Sequence, residues 1–217
     1  MRCLPFAVAG AMLAPALASA QLKPDPRWEF GLRSGVLIGS GKPANDLLFN
    51  GIKAIYRLDA ESGVGISIDR LSFDFERPQS VLGIEQDKSL VPKDIDAKAK
   101  ATLISVFYER RYATAGSPWS WNWNAGLGFA SPSVGRASGP AAGGGSFDVG
   151  TDAGREYVPS VGLGARYSLS NGLHFEAGLN LNRHIANWKV TDAVSGRSGR
   201  VRDYTTTGLS LGLGYRF

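Results

Sequence analysis

His174 and Glu176 stand two residues apart, so a strand would carry both on one face. An imidazole and a carboxylate are metal-ligand types, but two ligands do not make a metal site. Packing of His174 and Glu176 against an arginine is the expected arrangement. The stretch Gly139–Gly150, GPAAGGGSFDVG, has the glycines of a phosphate cradle but no Lys-Ser/Thr after them and no strand-to-helix context. It is expected to be a flexible surface loop. Residues 77–100 mix both signs of charge, with Glu85, Asp87, Lys88, Lys93, Asp94, Asp96, Lys98 and Lys100. Lipopolysaccharide, a divalent ion or a host surface are ligands such a loop can take; a solvated loop is the expectation. These residues supply no catalytic set, no metal centre and no cofactor site.

The chain opens on Arg2, an apolar run from Leu4 to Leu17, and the small residues Ala18, Ser19 and Ala20. This order is that of a secretory signal peptide. The run is too short for a membrane-spanning helix, which needs about 20 apolar residues. Residues 1–20 are therefore expected to leave, with Gln21 as the mature N-terminus and 21–217 as one domain. Cys3, the one cysteine of the 217 residues, leaves with them. Disulfides, thiol catalysis and thiolate metal sites are then excluded from the mature chain. The net charge of +5 is scattered along the chain, which argues against a nucleic-acid surface. The 28 glycines disfavour helices throughout. An exported β protein remains, either soluble or a membrane barrel.

Eight stretches alternate apolar and small or polar residues with period two: 28–39, 51–59, 64–76, 101–113, 119–130, 157–169, a seventh from Leu173, and 205–217. In the third, the apolar set moves from Val64, Ile66 and Ile68 to Leu71, Phe73 and Phe75, and a bulge near Arg70 is expected to shift the phase. Tight turns are expected around 60–63, around 115–118 and at Asn171-Gly172; longer loops are expected at 40–50, 77–100, 135–156 and 191–203. Short turns at one end and long loops at the other predict an all-β, eight-stranded antiparallel up-and-down transmembrane barrel.

In that barrel the apolar face meets lipid. The opposite face is rich in glycine and serine and carries Glu29, Arg33, Lys53, Arg57, Asp69, Glu109, Arg111, Arg166, Glu176 and Arg216. Eight strands enclose an interior just wide enough for side chains, so these charges are expected to pair as a lumen network. Arg110 points the other way, toward headgroups. Trp28, Tyr56, Tyr108, Trp119, Trp121, Trp123, Tyr167, Phe175, Tyr215 and Phe217 gather on the lipid side near the short turns, as an aromatic girdle would.

With the signal peptide, the alternation and the ending Gly214-Tyr215-Arg216-Phe217, the chain resembles the small outer-membrane barrels: the OmpA transmembrane domain and the opacity, OmpX and OmpW proteins. The resemblance implies a Gram-negative-type outer membrane, lipid and lipopolysaccharide as surroundings, and insertion by the barrel-assembly machinery. Leu213, Tyr215 and Phe217 match the assembly signal of that class. It implies a non-enzymatic role, structural or through a surface ligand not identified. A narrow OmpW-like channel for small or hydrophobic solutes is the alternative. The segment NLNRHIANWKV also resembles the His-x-Ser-Asn motif of PagL-type lipid A deacylases at His184 and Asn187. Ala186 stands at the serine position and cannot attack an ester.

Overall fold

The structure is a computed structural model that describes residues 27–40 and 44–217. The expected signal peptide and Gln21 lie outside the described residues. The strands are β1 (Arg27–Ser40), β2 (Ala44–Arg57), β3 (Ser62–Phe75), β4 (Ala97–Ala113), β5 (Trp119–Val134), β6 (Ala137–Pro140), β7 (Ser146–Asp152), β8 (Glu156–Ser168), β9 (Leu173–Asp192) and β10 (Ser198–Arg216). All pair antiparallel. The pairing of β10 with β1, Arg216 opposite Glu29 through Thr205 opposite Ser40, closes β1–β5 and β8–β10 into an eight-stranded barrel. Closure leaves these eight strands without an edge.

The two extra strands extend the wall. Where β8 begins, β7 takes over the flank of β9, from Val149 opposite Asp192 to Asp152 opposite Lys189. β9 and β10 run 20 and 19 residues. A tilted strand needs only about 9–11 residues to cross a bilayer, so both stand well clear of one.

β3 corrects the expected bulge at Arg70. Its pairing runs in unbroken register through that residue, to Phe73 on β2 and to Phe75 on β4, with Asn50 on one side and Thr102 on the other. The in–out alternation holds; what changes is which side is apolar. Ile66 and Ile68 point out, and Ser67 and Asp69 point in. Beyond Arg70 the inward residues are Leu71, Phe73 and Phe75, all buried, while Arg70 and Ser72 are exposed. The same inversion occurs on β9, where Ala186, Trp188 and Val190 are buried and Asn187 and Lys189 exposed. It marks the upper limit of the lipid belt. Below it the barrel is apolar outside; above it the barrel is packed like a soluble protein. The register shifts elsewhere, on β2 between Ala44 and Leu47 and where Arg202 and Tyr204 of β10 face Asn187 and His184 of β9, and the second shift turns Tyr204 inward.

Three expected loops are also shorter than the sequence pattern implied. Residues 44–50 belong to β2, 193–197 suffice to join β9 to β10, and the glycine-rich stretch forms the β6–β7 hairpin. Residues 76–96 hold a short 3-10 helix, Pro78–Leu82, packed on β9 and β10. Gln86 is enclosed by its own loop: its Nε2 donates to the carbonyls of Val91 and Lys93 at 2.7 and 2.6 Å. Asp87 N and Ala142 N then tie this loop to the β6–β7 hairpin, donating to Pro140 O and Glu85 O at 2.9 Å each. The long connections thus form one ordered cap.

At the short-turn end, Gly172 closes the β8–β9 turn with φ of 89°, a left-handed conformation that suits glycine. At the loop end, Asp192 accepts from Asp148 N at 2.7 Å and from Ser195 N and Oγ at 2.9 and 2.5 Å. Burial would raise its pKa, but these donors outweigh burial and hold it at about 2, below the ordinary 3.8.

Trp188 and Asp192 make this architecture testable. Trp188 is fully buried, stacks on Phe73 at 6.3 Å and meets Phe75 edge-on at 5.9 Å. Trp188→Ala is expected to lower stability by about 3–5 kcal/mol in urea unfolding of the reconstituted protein; a loss below about 1 kcal/mol would mean the outer barrel is not a packed core. Because Asp192 titrates lower when folded, its stabilisation is full above the unfolded carboxylate range and fades as pH falls toward about 2. Amide exchange of 193–197, measured in wild type against Asp192→Asn, is expected to differ at pH 5 and to converge near pH 2.

Candidate functional site

The lumen of the barrel is stratified. At the short-turn end, Glu29 of β1 faces inward with 2% side-chain exposure. Arg57 Nη2, Arg111 Nη2 and Arg166 Nη2 all donate to its Oε2, at 2.8, 2.9 and 2.8 Å. Those arginines come from β2, β4 and β8, so one carboxylate joins four strands. Glu109 accepts from Arg57 at 2.5 Å and Arg111 at 3.4 Å. Glu176 accepts from Arg166 Nε at 2.9 Å and from Lys53 Nζ. Arg216 Nε lies 3.9 Å from Glu29. His174 packs on this group, its Nε2 2.6 Å from Arg166 Nη2 and 3.5 Å from Glu176 Oε1. Among the described residues no three metal-ligating side chains converge.

One level up, Arg33 pairs with Asp69 and donates to Ser67 Oγ at 2.8 Å. These two form a separate pair from the Glu29 group. Beside them is a cavity of about 90 Å3 lined by Ser105, Asn122, Asn124, Asn180 and Asn182 among others. The Phe107 ring, which lines this cavity, occupies the space that a Cβ on Gly65 would take.

Above the cavity comes a cluster that the sequence pattern did not reveal. His184 Nδ1 is 2.9 Å from Glu156 Oε2, and its Nε2 is 3.3 Å from Thr206 Oγ1. Tyr204 stacks on the imidazole at 4.3 Å between centroids, and its hydroxyl donates to Glu156 at 3.3 Å. A hydroxyl, an imidazole and a carboxylate in this order have the connectivity of a hydrolytic triad. Thr206, however, is 0% exposed, and its Oγ1 already accepts from Asn182 at 3.2 Å. No acyl carbon can reach it. The residues that matched the deacylase pattern do not converge either: His184 and Ala186 face inward, while Asn187 is exposed on the outer wall. Glu156 was legible by parity alone, as the inward neighbour of Tyr157. Beyond this cluster the lumen is closed by Leu47, Phe73, Phe75, Phe147, Trp188 and Val190.

On the outside, Phe30, Leu32, Ile52, Ile66, Leu163 and Leu211 are exposed in a continuous apolar belt. Its short-turn rim is aromatic: Trp28 meets Tyr56 at 5.2 Å, Tyr108 meets Trp123 at 5.6 Å and Trp119 meets Tyr167 at 5.0 Å. Leu213, Tyr215 and Phe217 lie on this face, and the Phe217 ring packs on Phe30 at 5.8 Å and Tyr215 at 5.0 Å. Arg110 is on the same face, 3.1 Å from Glu61 and over the Tyr112 ring.

No family model and no curated protein sequence matches the chain. Solved structures do. The outer membrane protein OprG from Pseudomonas aeruginosa aligns with a TM-score of 0.63 and 11% identity, over 90% of this chain and 97% of that one. The chain has the fold of the small eight-stranded outer-membrane barrels. A major outer membrane protein from Thermus thermophilus aligns with a TM-score of 0.51 and 11% identity, over 89% of this chain and all 100% of that one. Neisserial surface protein A has 17% identity and a TM-score of 0.49 over 88% of this chain and 97% of that one. At such identities the likeness is one of fold.

The central carboxylate gives a prediction. Glu29→Ala leaves Arg57, Arg111 and Arg166 without their shared acceptor in a buried layer. Loss of one partner in such a cluster costs about 3–5 kcal/mol. The barrel is expected to shift from its compact to its unfolded gel form at a lower temperature, while Asp148→Ala, which removes an exposed partner of Arg136 on the outer hairpin, leaves that temperature unchanged. Equal shifts for both would sink the view that the buried layer dominates stability.

Proposed function

We propose that this chain is a non-enzymatic outer-membrane barrel whose lumen is sealed and whose activity lies in its ordered outer cap. The observation that carries the reading is the filled interior. Buried ion pairs close one end, and the core around Trp188 closes the other. The cap supports a surface role, because residues 76–96, the β6–β7 hairpin and the long β9–β10 hairpin form one packed unit. Residues 1–20 export the chain in this reading. Leu213, Tyr215 and Phe217 present the signal to the barrel-assembly machinery, and lipid and lipopolysaccharide surround the belt. The short turns then face the periplasm.

A second reading has one observation in its favour. The outer lumen is apolar, lined by Leu37, Phe49, Leu71 and Trp188, which suits a small hydrophobic solute. Admission of such a solute requires these side chains to move apart.

Fractionation with the outer membrane and heat-modifiable migration test the location and the barrel. A protein fully extracted with the soluble fraction would end the proposal. Planar-bilayer recording is expected to show no steady conductance. A steady pore whose conductance changes in Arg166→Met or Glu176→Gln would favour the channel. Unaltered lipid A acylation by mass spectrometry, with and without the protein, is expected for a barrel without hydrolytic activity.

A further inference from the structure

The charge layer is unbalanced among the described residues. Its connected buried ion pairs contain four cations, Lys53, Arg57, Arg111 and Arg166, and three carboxylates, Glu29, Glu109 and Glu176. The imbalance is buried: Arg57 and Arg166 are each 2% exposed at the side chain, and Arg111 is 8% exposed. The donors are not exhausted. Arg111 Nε, on a residue that lines the short-turn mouth, is buried with no hydrogen-bond partner, as are Nε and Nη1 of Arg57, which does not line the mouth. A buried guanidinium left without compensation is costly, and an excess of buried positive charge beside water draws an anion.

The place for one exists. The short-turn mouth opens into a vestibule of about 670 Å3, and Arg111, Arg166 and Arg216 line it together with His174, Ser168 and Ser170. Forked guanidinium donors and hydroxyls match the several acceptor oxygens of a phosphate better than a single-point anion. We propose that the vestibule binds a phosphate group against Arg111, Arg166 and Arg216. Trp28 and Phe217, residues of the lipid-side rim, also border the vestibule. The mouth is therefore open to two sources of the same chemistry, phosphate free in solution and the phosphodiester of a lipid headgroup. The site does not depend on whether the lumen conducts; only the periplasmic origin of the phosphate rests on the orientation proposed above.

The test uses the whole mature chain refolded in phosphate-free detergent. Inorganic phosphate is titrated by calorimetry, and in parallel the protein is placed in nanodiscs of mixed phosphatidylcholine and phosphatidylglycerol and its retained lipid read by native mass spectrometry. Arg216→Gln alters the mouth of the vestibule, where the side chain is 34% exposed, and leaves the Glu29 group of arginines in place. Arg136→Gln, between β5 and β6 and paired with Asp148 of β7, controls for charge alone. Saturable phosphate binding that weakens at least tenfold in Arg216→Gln and stays unchanged in Arg136→Gln supports the site with a free ligand. Retained phosphatidylglycerol with the same dependence supports it with a headgroup. Binding in neither arm overturns the proposal, as does an equal response of the two variants. Full displacement of phosphate by equimolar acetate overturns the assignment to phosphate.

Discussion

The carboxylate of Glu29 organises the barrel, because it joins the closing strand to the strands on either side of it and across the lumen. Glu29 sits on the strand that closes the sheet, directly opposite Arg216 of β10 and Ile55 of β2. Strand register has period two, so a slip by one residue turns every side chain to the other face. A one-residue slip of β1 would put Glu29 into lipid and leave Arg57, Arg111 and Arg166 sharing only Glu109 and Glu176 inside. The ladder alone does not forbid that slip, since backbone hydrogen bonds re-form in either register. The buried charges do forbid it. Their worth thus lies in selecting one closure among several as much as in stability, and this narrow interior, just wide enough for side chains, brings them within reach.

The second constraint is the inversion of polarity along β3 and β9. Below about Arg70 and Ile185 the outer wall is apolar and the interior polar; above, the relation reverses. This explains what the sequence pattern conveyed and what it hid. Period-two alternation locates strands and pairs residues by face, which is why Glu29, Arg57, Glu109, Arg111, Arg166 and Glu176 could be grouped before any contact was known. Alternation does not say which side of the wall is wet. Leu71, Phe73 and Phe75 therefore read as a change of phase when they are a change of surroundings. The adjacent Leu47 and Leu48 hid the outer part of β2 for the same reason, since one faces the core and the other faces out.

Convergence was less legible than parity. Glu156, His184, Tyr204 and Thr206 come from three strands, and their meeting depends on the register shift between β9 and β10 at Arg202 and Tyr204. Without that shift Tyr204 would stand opposite Ile185 and share the outward face of Arg202, and nothing in the local residue types announces it. The glycine-rich β6–β7 hairpin escaped for a related reason. Its pairing partner is β9, about forty residues away along the chain, and a strand held by a distant neighbour need not show strong local propensity.

Two seals of opposite chemistry in series bear on any account of transport. A hydrophobic solute finds compatible surroundings among Phe49, Leu71 and Trp188 but next meets Arg33, Asp69 and then the Glu29 group, where it would displace ion pairs and offer no hydrogen bond in return. A polar or charged solute is accommodated at the short-turn end but must then strip its water to enter the core above Thr206. No single solute chemistry suits both layers. Passage straight through the barrel therefore requires one layer to rearrange, and the charge layer resists most, because moving any one arginine breaks its buried bond to a carboxylate that ties four strands together. The apolar layer holds no such shared charge, so the Glu29 group is the higher barrier to passage.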